Sequence, residues 1–243
     1  MKALRYKALL KIRPFKEGFD EKIYVSIFNA VFADYDDIRG ITLEEMKKTK
    51  KAPGYSSEGI FIAEWDGEPV GMINAYVDKM RKEEKGFIQG PGVLPLFRGK
   101  GIARKLVEKA IVSLKQRAMK IAETVARSDQ EACVHIYESF GFEKVRFTSM
   151  MRRTLDEIPS DIGENMEVTI RNMHMKDEGD IRLLNRLDNE AFEEHFNFRP
   201  RTVEETKYTL FETPWWNIQK WFFTVLNNQP VGYAGVAVDE GLN

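Results

Sequence analysis

Three observations in this 243-residue chain predict an α/β (α+β) fold. A strand-like segment ending in Val93-Leu94 passes through a glycine-punctuated loop, Arg98-Gly99-Lys100-Gly101, straight into an amphipathic helix. Apolar, β-branched segments flank Asp66-Gly67, a dipeptide suited to a two-residue hairpin turn. Blocks from the first third of the chain recur in type and spacing in the last third.

In chain order, residues 6–13 read as β1, and residues 19–33 and 42–50 as two early helices. Residues 59–65 and 69–77 form the hairpin arms, and residues 87–93 the strand that feeds the glycine loop. The helix after that loop rests on Ile102, Ala103, Leu106, Val107, Ala110, Ile111 and Leu114, apolar at three- and four-residue spacing. Arg104, Lys105, Glu108, Lys109 and Lys115 fill its other face. Residues 121–126 form a short strand candidate, and Ser128-Asp129 is a good N-cap for a further helix that stops at Gly141. Residues 145–155 are expected to supply closing strands.

The loop at 98–104 has the makings of an anion site. The first turn of a helix leaves backbone N–H groups without partners and carries the positive end of the macrodipole. Gly99 and Gly101 let a ligand approach the backbone closely, while Arg98 and Lys100 add positive charge. Two familiar phosphate loops do not fit. The P-loop requires Lys-Ser/Thr after its second glycine, where Ile102 follows Gly101; the dinucleotide fingerprint requires a third glycine where Arg104 stands.

Arg98-x-x-Gly101-x-Ala103 after Val93-x-Pro95, together with Ile136-Tyr137-Glu138-Ser139-Phe140-Gly141-Phe142 downstream, resembles the GNAT superfamily of N-acetyltransferases. The resemblance covers roughly the first 155 residues. It implies a mixed, mostly antiparallel sheet with helices on both faces and a splayed β4/β5 pair. It also implies acetyl-CoA as acyl donor and a primary amine as acceptor, attacking directly in a ternary complex without a metal. The diphosphate would lie on the amides of Gly99, Lys100, Gly101, Ile102, Ala103 and Arg104, beside Arg98.

Gly90-Pro91-Gly92 is the breaker expected at a β4 bulge, and because Pro91 lacks an N–H, the amides of Gly92, Val93 and Leu94 are expected to hold the acyl arm. Tyr137 stands where the superfamily has the tyrosine that protonates the departing thiolate. Gln130 replaces the usual asparagine seven residues before that tyrosine, a departure that bears on the cofactor contact there. Glu123 leads as general base, with Glu64 and the acidic run Asp34, Asp36, Asp37 as alternatives, and water as another. A non-catalytic acyl-CoA-binding or regulatory module is the alternative function.

The internal repeat sets the domain organisation. Lys11-Ile12-Arg13 recurs as Thr169-Ile170-Arg171, Arg39 to Glu45 as Arg199 to Glu205, and Asp66-Gly67-Glu68-Pro69-Val70-Gly71 as Asn227-Asn228-Gln229-Pro230-Val231-Gly232. Arg13 to Thr42 spans 29 residues and Arg171 to Thr202 spans 31; Thr42 to Gly71 spans 29 and Thr202 to Gly232 spans 30. The chain therefore reads as a complete domain at 1–155, a linker at 156–165, and a partial second copy at 166–243 holding a strand, two helices and a hairpin. This layout resembles the two-domain acetyltransferases related to mycothiol synthase. Trp215, Trp216, Trp221, Phe222 and Phe223 are expected to pack the partial copy.

Composition narrows the partners. With 37 basic and 38 acidic residues there is no global basic field to recommend nucleic acid. No apolar run approaches the ~20 residues of a membrane span, and the first residues lack a signal-peptide core. One cysteine, Cys133, excludes an internal disulfide framework and suits a reducing, cytoplasmic setting. His135, His174 and His195 have no ligand spacing, so no metal site is expected. The expected partners are a small-molecule or peptide amine and, as an open assembly, a second copy of the chain in a homodimer.

Overall fold

The computed structural model describes residues 9–35, 38–151, 153–154, 167–213 and 218–237. Two compact units meet in sequence at Gly141/Phe142. The first is a five-stranded sheet in the order β1(Leu10–Pro14), β2(Ile60–Trp65), β3(Glu68–Val77), β4(Lys85–Val93), β5(Ile121–Thr124). Its helices are α1(Glu21–Val31), α2(Leu43–Thr49), α3(Ile102–Gln116) and α4(Glu131–Glu138).

Strands β1 to β4 pair antiparallel, and β4–β5 is the parallel pair. The β2–β3 turn is made by Asp66 and Gly67, both at positive φ (53° and 87°), the twist a two-residue hairpin requires. Gly71 of β3 faces Leu106 of α3, while Met72, next along the strand and so on the other face, packs with Ile27 and Val31 of α1. The sheet is thereby covered on both sides. On the α3 side Ile102, Leu106, Val107, Ala110 and Leu114 are all buried, which is the face the apolar spacing predicts. A Cβ on Gly86 would lie 2.4 Å from Leu114 Cδ2, so this glycine permits close helix–sheet packing.

Two features of β4 shape the site. Met72 pairs with Gly92 and Asn74 with Gln89, so Gly90 and Pro91 together oppose Ile73: the bulge expected from Gly90-Pro91-Gly92 is present. The parallel pairing with β5 runs only from Lys85↔Ile121 to Ile88↔Thr124, where Thr124 Oγ1 donates to Ile88 O at 3.0 Å. Beyond that rung β4 continues for five residues without β5 beside it, and the two strands splay.

The expected closing strands are corrected. Residues 145–151 form no strand, and Val145, Phe147, Met150 and Met151 are exposed; 155 lies outside the described residues. An apolar pattern marks strand character but cannot supply the partner a ladder needs. The Ser128-Asp129 cap is also corrected: Gln130 occupies the N-cap position of α4, and the Asp129 carboxylate is drawn to Arg127 at 2.8 Å.

The second unit has a three-stranded antiparallel sheet, β6(Val168–Asn172), β7(Ile218–Leu226), β8(Gln229–Ala237), with α5(Glu178–Phe192) and α6(Val203–Phe211). Its core is Met173, Ile181, Leu184, Leu187 and Phe223, with Trp221 against Tyr233; Trp215 and Trp216 lie outside the described residues.

Several contacts occur in both units. Arg13 forks onto Asp20 and Arg171 onto Asp180. Asn29 accepts from Ile41 N and donates to Ile41 O, as Asn189 does with Arg201. Thr42 and Glu45 form a capping box, and Thr202 and Glu205 exchange the same two bonds. The irregular rung Ala63↔Gly71, Glu64↔Pro69 has a counterpart in Thr224↔Gly232, Val225↔Pro230.

Candidate functional site

The loop after β4 begins with a single 3₁₀ turn, Pro95–Phe97, then passes Gly99 and Gly101 at positive φ (75° and 77°) before α3 starts. The left-handed conformation at the helix N-cap position is strained for any residue with a Cβ. The first amide of this stretch with an internal acceptor is Lys105, which donates to Gly101 O at 3.2 Å. Among the described residues, no acceptor is found for the amides of Gly99, Lys100, Gly101, Ile102, Ala103 and Arg104. A Cβ built on Gly99 or Gly101 meets nothing within 4 Å. Unpaired donors facing open space at a helix start fit a diphosphate.

The cationic side chains around the loop are held in place. Arg98 Nε donates to Val93 O at 3.1 Å, and Lys100 Nζ donates to Leu96 O at 3.2 Å. Arg104 donates to Ser139 Oγ at 2.6 Å, with its guanidinium 4.6 Å from the Phe140 ring centroid, which ties the start of α3 to the end of α4.

The acyl-arm expectation is corrected at two of its three residues. Leu94 N donates to Val70 O at 2.9 Å and is therefore consumed by β3. Amide direction alternates along a strand, so Gly92 N points toward β3 as well, while Val93 N points away. The Val93 carbonyl, which projects to the same side as its amide, is the one Arg98 reaches. Val93 alone of the three offers an amide to the splay.

Tyr137 is buried, and its hydroxyl donates to Gly90 O at the β4 bulge. Burial pushes its pKa well above the ordinary tyrosine value, while a hydrogen bond with the Thr124 side chain acts in the opposite direction. The group is a neutral donor across the physiological range. Cys133, on the same helix, also has its pKa raised by burial.

Glu123 is placed elsewhere. It pairs with Phe87, and its carboxylate holds Lys85 Nζ at 2.8 Å. Val93 lies six residue steps beyond Phe87 along β4, some 15–20 Å at about 3.3 Å per residue, beyond direct proton transfer from an amine reacting beside Val93. As a direct base Glu123 is therefore a mismatch. Glu64 is bound to Arg13 at 2.5 Å. Asp36 and Asp37 lie outside the described residues.

A cavity of about 240 Å³ opens where the end of α1 approaches the β5–α4 loop. Val31, Asp34 and Tyr35 form one wall, and Arg98, Arg127, Asp129 and Gln130 the other. Arg127 lies 5.2 Å from the Tyr35 ring centroid and binds both oxygens of Asp129, at 3.1 and 2.8 Å, which keeps that carboxyl below the usual range. Sequence reasoning missed Tyr35 and Arg127, whose contact joins segments 92 residues apart and has no local signature. Among the described residues no group of three or more His, Cys, Asp or Glu could hold a metal ion, and no helix is long and apolar enough to cross a membrane.

Comparison with known proteins gives the following likenesses. Residues 22–142 match the model of the Acetyltransferase (GNAT) family. A mycothiol acetyltransferase of Streptomyces griseus is 30% identical over 132 residues, which is 54% of this chain and 42% of that protein. One from Thermobispora bispora is 29% identical over 151 residues, 59% of this chain and 50% of that protein. The chain spans about half the length of these relatives. Among solved structures, the ribosomal-protein-S18-alanine N-acetyltransferase from Escherichia coli is 17% identical with a TM-score of 0.46, covering 57% of this chain and 80% of that one.

Proposed function

The chain carries an acetyltransferase domain of the GNAT family at residues 22–142, and on that premise we propose that it moves an acetyl group from acetyl-CoA to a primary amine by direct attack in a ternary complex. The observation that carries this reading is the run of six backbone amides, Gly99 to Arg104, with no internal acceptor and open space before them.

Acetyl-CoA supplies an activated thioester carbonyl and a thiolate leaving group. The amides of the loop, with Arg98 and Lys100 nearby, hold its diphosphate. Val93 N, aimed into the splay, is the donor for the acyl arm. Tyr137 is the group that gives a proton at the departing sulfur. To do so its hydrogen must turn from Gly90 O, a short rotation about the C–O bond. The proton of the acceptor ammonium passes to water in the cavity rather than directly to Glu123.

Calorimetric titration with acetyl-CoA, followed by thiol release over an amine panel, tests this. Saturable binding with amine-dependent thiol release is expected. Binding without release over the whole panel favours a non-catalytic acyl-CoA-binding module, a reading supported by the engagement of the Tyr137 hydroxyl with Gly90 O. Absence of binding removes both.

We further infer that residues 166–243 are a partial second copy of the fold, following a linker at 156–165. The recurrence of the Arg13–Asp20, Asn29–Ile41 and Thr42–Glu45 contacts as Arg171–Asp180, Asn189–Arg201 and Thr202–Glu205 supports it.

A further inference from the structure

We propose that Tyr35 and Arg127 form a clasp across the acyl-donor cleft, which opens to admit and release the donor and so sets the rate of both. The inference rests on the acetyltransferase reading and adds a gate to the same site.

The cavity at the end of α1 lies on the donor's path. One wall carries Arg98, from the loop that follows β4, and Arg127, Asp129 and Gln130, from the loop that follows β5, so the cavity opens between the ends of the two splayed strands. Arg98 Nε donates to Val93 O, and the amides without an internal acceptor begin at the next residue, Gly99. A donor with its diphosphate on Gly99 to Arg104 and its carbonyl at Val93 N therefore runs past Arg98 along this cavity. At about 240 Å³ it has the volume of roughly eight waters at ~30 Å³ each, room for a slender chain.

Arg127 reaches from the β5 side to the α1 side, its guanidinium 5.2 Å from the Tyr35 ring centroid. Both partners are stationed for this contact. Tyr35 stands edge-on to Phe32 with centroids 5.2 Å apart, Phe32 lies 4.7 Å from Phe28, and Tyr35 N donates to Phe32 O at 3.0 Å, which ties the ring to the end of α1. Asp129 accepts two hydrogen bonds from Arg127, at 3.1 and 2.8 Å. The carboxylate takes the edge of the guanidinium and leaves its flat face to the ring.

The strength of the contact suits a gate rather than a lock. A guanidinium against a tyrosine ring at a part-exposed site favours the closed arrangement over the open one by about two- to fivefold. Such a clasp opens without help from a ligand and slows passage without barring it. Because the donor's arm lies in the cavity and not in the Tyr35–Arg127 contact, closure weighs equally on entry and exit and leaves affinity nearly unchanged.

The test is stopped-flow measurement of acetyl-CoA binding and release on the full chain, in high salt so that any lost charge is screened. Tyr35→Leu should raise the association and dissociation rates together by about two- to fivefold, with Kd within about twofold. Arg127→Leu should do the same from the other side, and the double variant should go no further than either single one. Tyr35→Phe keeps a ring for the guanidinium and should keep the rates of the unaltered chain. Unchanged rates in Tyr35→Leu, additive effects in the double variant, or rates in Tyr35→Phe as fast as in Tyr35→Leu would each overturn the clasp. A rise in the dissociation rate alone, with a matching loss of affinity, would show direct contact with the donor and overturn it too. Should Tyr35→Leu fail to fold, Arg127→Leu and Tyr35→Phe decide the matter by the same criteria. Absence of acetyl-CoA binding to the unaltered chain removes the acetyltransferase reading itself, whereas binding with rates indifferent to both residues removes only the clasp.

Discussion

The hydroxyl of Tyr137 donates to the carbonyl of Gly90, the residue where β4 begins its bulge after parting from β5. One bond thus ties α4 to the mouth of the splay and stations a neutral proton donor there. It also means that Tyr137 has a structural duty alongside any catalytic one.

Tyr137→Phe separates these duties. Loss of the bond should lower stability by about 1 kcal/mol, read by urea unfolding. Loss of the acid should lower kcat by about a hundredfold or more, with the acetyl-CoA dissociation constant nearly unchanged. Turnover equal to that of the unaltered chain would dismiss the acid role.

Gly101→Ala tests the diphosphate loop. The added Cβ meets no protein atom within 4 Å, so inside the protein its cost is the left-handed backbone at φ 77°, about 1–2 kcal/mol. Affinity for acetyl-CoA should fall by about tenfold or more as the Cβ intrudes on the ligand's approach. Unchanged affinity by calorimetry would place the diphosphate elsewhere.

Glu123→Gln should leave the pH dependence of kcat/KM in place and change kcat by no more than about twofold, because the carboxylate is bound to Lys85 and distant from Val93. Disappearance of the acidic limb, the fall in kcat/KM at low pH, would restore Glu123 as the base.

The second unit should lose stability in acid. Hydrogen bonding to Arg171 leads the causes that hold the Asp180 carboxyl at about 2, against 3.8 unperturbed. Because the folded value is depressed, this contribution is fully present above pH 4 and is lost as pH falls toward 2. Arg171→Met should flatten that decline in melting temperature, and an identical decline in the variant would show that the pair is not its source.

The loop and its helix were legible because both signals are local. Glycine at two positions of positive φ and apolar residues on one helical face act over a few residues, and neighbours in sequence are neighbours in space. The second set of strands and helices was legible because Arg171, Thr202 and Gly232 keep nearly the spacing of Arg13, Thr42 and Gly71. The closing strands misled for the opposite reason: alternation at 145–151 resembles a strand, but a ladder requires a partner that no short window records.

From the order of residues alone came the α/β class, the strand–loop–helix that offers free amides, and the position of Tyr137. Three-dimensional packing decided the rest. Pairing with β3 consumed the Leu94 amide and left that of Val93, the β4–β5 register carried Glu123 away from the splay, and the approach of α1 to the β5–α4 loop made the cavity at Asp34. Strand register and the meeting of distant segments are properties of the whole fold, because each depends on which surfaces are buried together rather than on any local preference of the chain.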